Sequence, residues 1–213
     1  MTLDETTAQE FSEYMKRFPR MYAHLAQTLK RFLSSNPIIL DLGTGPGLLS
    51  VELLKLIPGA RVVGVDPLET MLRLAEQNVR QVPGGSFQTV QGASEHLPLD
   101  DSTFDGIVSR FSLPYWQQPD KSFQEMHRVL KPGGIVVLEE LNKAFPRWML
   151  TLLRLRMRIR GASARVANYH AEAYPHAHTI EQVIRFFTDA GFTIVETEGK
   201  KKEWRFIVVT RKK

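Results

Sequence analysis

The chain has 213 residues, 43% of them hydrophobic, with 28 Lys and Arg against 23 Asp and Glu for a net charge of +5; this size fits one decorated α/β domain, and the modest charge is compatible with nucleic acid, an anionic membrane or an acidic substrate, though such a balance usually serves solubility. There is no cysteine, which excludes disulfides, thiolate zinc sites and cysteine-based catalysis. No apolar run is long enough to cross a bilayer, and residues 1–10 are polar and acidic without the basic flank and apolar centre of a signal peptide, so a cytoplasmic protein is expected.

Residues 4–33 read as one or two amphipathic helices broken near Pro19, with Phe11, Tyr14, Met15 and Phe18 and then Met21, Leu25 and Leu29 at helical spacing. They are expected to cover the C-terminal edge of a sheet. Ile38 to Leu42 follows as a short, continuously apolar strand of the kind buried on both faces. It breaks into Gly43-Thr44-Gly45-Pro46-Gly47, and Leu49, Leu53, Leu56 and Ile57 then recur at helical spacing until Pro58-Gly59. Val62 to Val65 is a second buried strand, and Asp66 at its end can accept both hydroxyls of a ribose. Strands are expected at about 37–42, 61–66, 86–90, 104–110 and 133–140, and helices at about 47–57, 68–80 and 119–130. A further helix over 179–190 precedes two alternating runs, 192–197 and 204–210, joined by a turn with Lys200-Lys201-Lys202. The alternation calls for an α/β, doubly wound, mostly parallel seven-stranded sheet closed by an antiparallel C-terminal hairpin strand.

The glycine turn admits two cofactor classes. A nicotinamide dinucleotide needs G-x-G-x-x-G so that pyrophosphate can reach the helix N-terminus. Here single residues separate the glycines, and Asp41 stands immediately before the turn, where it would repel a pyrophosphate but favour the ammonium of an amino-acid cofactor. Asp41 to Gly47 resembles the D-x-G-x-G-x-G motif of class I S-adenosylmethionine-dependent methyltransferases. Gly92-Ala93-Ser94-Glu95-His96-Leu97-Pro98 through Phe104-Asp105 resembles the G-D-A-x-x-L-P-F-x-D-x-S-F-D stretch of the ubiquinone/menaquinone C-methyltransferase-like (methyltransferase type 11) group. His127 to Gly134 is similar to that group's R-V-L-K-P-G-G turn. Together these segments span roughly 37–140.

The resemblance implies a Rossmann-like methyltransferase fold, S-adenosylmethionine as methyl donor and S-adenosylhomocysteine as product. It implies a methionine site around Asp41, Gly43, Thr44, Gly45 and Gly47, and a ribose site at Asp66. Pro67, Leu68, Gly92, Ala93 and Ser94 would border the adenine, Arg110 and Phe111 would flank the sulfonium, and Tyr14 would cover the cofactor. Ala93 departs from the group's Asp, so adenine would be held by backbone around Ala93-Ser94, by the Ser94 hydroxyl or by apolar packing. The expected organisation is one methyltransferase domain over 1–213, with a helical cover (1–36), a core (37–140 and 179–213) and a substrate-side insertion (141–178).

Within the insertion a helix is expected from about 147 to 160, with Trp148, Leu152, Leu155 and Ile159 on one face and Leu150, Leu153 and Met157 on another. Arg147, Arg154 and Arg158 line one seam, Arg156 and Arg160 the other. Three roles compete for it: a lid on an apolar substrate, a membrane-surface contact through 144–160, or packing on the core or a second subunit with the arginines reaching water.

Methyl transfer from a sulfonium is an in-line displacement, so alignment and exclusion of water come first, and a base is needed only if the acceptor must lose a proton. Candidate groups are His24, Tyr115, Glu139 and His170. Glu140 at the end of the fifth strand could also face the acceptor, while Arg17 and Trp116 are possible walls. His170, His176 and His178 have no carboxylate partner in an established ligand spacing, so no metal is expected. The reading is methyl transfer to a small, partly apolar or aromatic acceptor, by a monomer or homodimer and without nucleic acid. The alternatives are a cofactor-binding or scaffold protein without catalysis, and a nucleic-acid methyltransferase, for which the chain lacks an N/D-P-P-Y/F motif.

Overall fold

The computed structural model describes residues 4–199 and 203–213, with 169–171 described in backbone only. The Lys200-Lys201-Lys202 turn lies outside the described residues. Two N-terminal helices, α1 (Glu5–Met15) and α2 (Pro19–Lys30), lead into β1 (Ile38–Leu42), α3 (Leu48–Leu56), β2 (Arg61–Asp66), α4 (Glu69–Val79) and β3 (Ser86–Gln91). Then come β4 (Phe104–Arg110), α5 (Pro119–Val129), β5 (Leu130–Leu141), α6 (Arg147–Ile159), α7 (Ala164–Ala173), α8 (Ile180–Asp189), β6 (Phe192–Glu198) and β7 (Arg205–Lys212). The strands form one sheet in the order β3-β2-β1-β4-β5-β7-β6. All pairs among β1 to β5 are parallel, and β7 runs antiparallel to both β5 and β6.

Because the strands are buried on both faces, alternate residues feed two cores. Ile39, Val62, Val108, Ile135, Val137 and Val209 pack with α2 and α3 on one side. Leu40, Val65, Ile107, Val136, Leu138 and Val208 pack with Phe123, Met126, Val183 and Phe187 of α5 and α8 on the other. Strand order reverses at β1, which lies between β2 and β4. The crevice beyond the carboxyl ends of β1, β2 and β4 is where such a sheet receives ligands.

The N-terminal helices reach the strands' carboxyl ends through Phe11 and Tyr22, as expected, but most of α2 lies elsewhere. α2 lies on the sheet face, against α3, β4 and β5, with Leu25 and Leu29 fully buried. α7 was not anticipated. Among its described side chains Val166, Ala167 and Ala173 are buried, and its start is set by Ser163, whose hydroxyl accepts the Val166 N–H at 3.3 Å.

Candidate functional site

A cavity of about 760 Å³ opens at this switch point. On its first side, the Gly43 and Thr44 amides donate to the Val65 carbonyl at 2.8 and 2.9 Å, folding the turn back onto β2. Gly43 has φ +71°, and a Cβ there would lie 2.5 Å from the Ser112 Cβ. Gly45, at φ +52°, would point a side chain into open space. Any residue but glycine would put atoms where a ligand must approach the backbone.

Asp41 is buried and braces this turn. Its Oδ2 accepts the Thr44 hydroxyl at 2.9 Å and the Ser50 hydroxyl at 2.6 Å. Burial pushes its carboxyl up to about 6, against the lowering effect of those two hydroxyls. Asp66, also buried, accepts the Gly45 amide through Oδ2 and the Leu68 amide through Oδ1, both at 3.0 Å. One carboxylate thus ties the glycine turn to the start of α4, and burial raises its affinity for a proton.

At the third edge, Ala93 is exposed on the rim and forms a bridge with His96. The Ser94 hydroxyl is engaged with the Ser122 hydroxyl at 2.8 Å, so of the groups expected to hold adenine it is already committed within the fold. Glu95 accepts the Gln117 and Gln118 amides at 2.6 and 3.2 Å, linking this edge to the segment after β4.

The opposite wall is aromatic and basic. Arg110 donates through Nε to Glu139 at 2.5 Å, and its guanidinium lies 4.7 Å from the Tyr22 ring centroid and 4.2 Å from that of Phe111. Glu139 is also bound by Arg205. The Arg110 Nη2 has no hydrogen-bond partner among the described residues. Phe111 takes a left-handed φ of +54°, a strained conformation for a bulky residue. The chain then turns through Ser112 and Leu113, whose amides both donate to Glu140 Oε1, at 3.0 and 2.9 Å. Glu140 is fully buried, and its Oε2 has no hydrogen-bond partner among the described residues. Burial pushes its carboxyl up to about 8, with the neighbouring Glu139 charge adding to the effect. Glu140 therefore holds the loop that presents Phe111, Pro114, Tyr115 and Trp116 to the cavity.

Of the residues expected to bind cofactor, Asp41, Gly43, Thr44, Gly45, Asp66, Pro67, Gly92, Ala93, Ser94 and Arg110 all line the cavity. Two do not. Tyr14 sits in the core beside Phe18, ring centroids 5.2 Å apart; Phe11 and Tyr22 reach the cavity instead. Gly47 begins α3 at φ +72°, where a Cβ would meet Ala75 at 2.8 Å, so it serves the packing of α3 on α4. Of the three candidate proton acceptors whose side chains are described, Tyr115 is on the wall. His24 is on the surface, 2.9 Å from Glu198. Glu139 is consumed by its two arginines, and Glu140 faces amides rather than the acceptor. The His170 side chain lies outside the described residues. Glu172 and His176 also line the cavity; the only signal for them was the histidine cluster of the insertion. His178 lies edge-on to Phe186, and burial lowers its proton affinity.

These residues fit the S-adenosylmethionine implied by the motifs: a backbone cradle at Gly45 that a Cβ would fill, and a carboxylate at Asp66 beside an apolar rim of Pro67, Leu68 and Met71. Comparison with known proteins agrees. Residues 40–138 match a family described as methyltransferase domain. The ubiquinone/menaquinone biosynthesis C-methyltransferase UbiE of Escherichia coli is 31% identical over 171 residues, covering 74% of this chain and 67% of that protein, as is its counterpart from Shigella boydii. Among solved structures, a SAM-dependent methyltransferase from Aquifex aeolicus superimposes with a TM-score of 0.73 at 20% identity, covering 99% of both chains. The [4+2]-cyclase SpnF superimposes with a TM-score of 0.69 at 18% identity, covering 91% of this chain and 80% of that one. At such identities the structural likeness establishes the fold alone.

Proposed function

The chain belongs to the class I S-adenosylmethionine-dependent methyltransferases of the UbiE-like type, and from that premise we propose that it methylates a small, partly apolar acceptor with an aromatic, quinone-like ring. One observation carries the reading: a single cavity joins the glycine turn and Asp66 to a wall of Phe111, Pro114, Tyr115 and Trp116. An aromatic ring suits that wall, and the name of the UbiE relatives, for C-methylation in ubiquinone and menaquinone biosynthesis, favours an acceptor of that kind.

The bound cofactor supplies a methyl group already activated on a positively charged sulfur. The chain's own residues contribute position and dryness. Asp66 accepts the ribose hydroxyls while keeping its two amide contacts. Asp41 acts through the turn it braces, favouring the cofactor's ammonium as it ionises. Pro67 and Leu68 pack on the adenine, and Tyr22 and Phe11 close the cavity from the N-terminal side. Arg110, its charge balanced by Glu139 and its guanidinium held between the Tyr22 and Phe111 rings, fixes the aromatic wall against which the acceptor ring packs. Tyr115 contributes its ring to the wall beside the acceptor. The test is transfer of labelled methyl from S-adenosylmethionine to a panel of hydroxylated aromatic rings and quinols, with and without an alkyl tail, beside DNA and RNA. Label in the aromatic compounds and none in nucleic acid is expected; label in nucleic acid alone overturns the reading.

A further inference from the structure

The 31 residues from 141 to 171 contain seven Lys and Arg (Lys143, Arg147, Arg154, Arg156, Arg158, Arg160 and Arg165) and no Asp or Glu. The whole chain carries +5, so this segment holds +7 and everything else sums to −2. α6 is its centre. Met149, Leu150, Leu153 and Met157 form the half-buried side of the helix, and Met157 joins the core. The other apolar face is turned outward: Trp148, Leu152, Leu155 and Ile159 are 66, 55, 57 and 77% exposed. These four, at i, i+4, i+7 and i+11, are all but one of the large exposed hydrophobic residues among the described residues, and packing on the core is thereby excluded for this face. The stripe is flanked by Arg147, Arg154 and Arg158 on one side and Arg156 and Arg160 on the other, and among the described residues none of the five pairs with a carboxylate.

We propose that α6 is a docking helix for an anionic lipid bilayer, lying in the headgroup plane with this stripe in the acyl boundary. At 13 residues the helix is about 20 Å long, far too short to span, and no helix among the described residues is long and apolar enough to do so. It has the composition that lies on a surface: an apolar face with tryptophan, arginine borders whose stems reach back to phosphate, and no acid. Charge selects this occupant over two others. A second copy of the chain would bring two sets of arginines together with no carboxylate between them. A nucleic acid would meet the arginines and leave four large apolar side chains in water. The surface also bears on the cavity, since α6 packs on α7, whose Glu172 and Ala173 are part of the cavity wall. Docking sets that wall beside the lipid. The proposal does not rest on the acceptor proposed above.

The test is sedimentation of the full chain with vesicles of phosphatidylcholine alone and of phosphatidylcholine with phosphatidylglycerol. Binding to the anionic vesicles is expected, at least about tenfold stronger than to the neutral ones and weakening with salt. The double variant Leu152→Glu/Leu155→Glu lowers partitioning at least about tenfold. Arg154→Gln/Arg156→Gln lowers it by on the order of tenfold on anionic vesicles only. Val195→Glu, at the remaining exposed hydrophobic position, leaves it unchanged. S-adenosylhomocysteine binding, unchanged in every variant, reports that each is folded; failure of the unmodified chain to bind it counts against the methyltransferase reading and not against docking. The proposal is overturned if anionic vesicles do not sediment the chain, if Leu152→Glu/Leu155→Glu binds like the unmodified protein, or if that variant instead dissolves a dimer seen by ultracentrifugation without lipid.

Discussion

Replacing Glu140 by Gln isolates the buried acid that shapes the acceptor wall. In the folded protein its carboxyl is pushed from an ordinary 4.5 up to about 8, so folding favours the protonated form. The sign follows directly: the stability this preference provides is intact below about pH 4.5 and is lost as pH rises toward 8. With one pKa unit equivalent to about 1.4 kcal/mol, the loss between pH 5 and pH 8 is on the order of 3 kcal/mol. Glutamine keeps a carbonyl for the Ser112 and Leu113 amides but sets two N–H donors where the protonated acid carries one O–H; the second has no partner among the described residues, which costs about 1–3 kcal/mol at every pH. Glu140→Gln is therefore the less stable protein near pH 5 and equal or more stable near pH 8. Urea unfolding of both proteins at the two pH values measures this, and the raised Asp41 and Asp66 cancel because both proteins share them. A stability difference that stays constant across the range would refute a protonated Glu140 and with it this account of the wall.

Two substitutions probe the cofactor end. Asp66→Ala removes the acceptor of the Gly45 and Leu68 amides together with the proposed ribose contacts; S-adenosylhomocysteine affinity by calorimetry is expected to fall by on the order of 100-fold, and an unchanged constant would show the ribose to be held elsewhere. Ala93→Asp, at an exposed rim position, restores an acceptor for the adenine amino group and should tighten the same complex by about 2- to 10-fold. No gain would mean that adenine does not lie against residue 93.

Sequence alone determined the sheet and the donor pocket. A parallel strand buried on both faces must be apolar throughout, so Ile38–Leu42 and Val62–Val65 announced themselves, and the turn between Asp41 and α3 was legible because its positive-φ positions are glycines. Where a function depends on which way a helix is rotated or on what packs across a gap, the residues are not neighbours and the pattern is silent. Tyr14 and Phe11 share one helix and one periodicity; only docking on α4 and α7 sends Phe11 to the cavity and Tyr14 to the core. Glu139 and Glu140 are adjacent, yet strand alternation points one at Arg110 and Arg205 and the other at the Ser112 and Leu113 amides. Sequence likewise showed α6 to be apolar on two faces. Tertiary structure decided which of them is covered, because burial is a property of what lies opposite, and nothing in the described fold lies opposite Trp148, Leu152, Leu155 and Ile159.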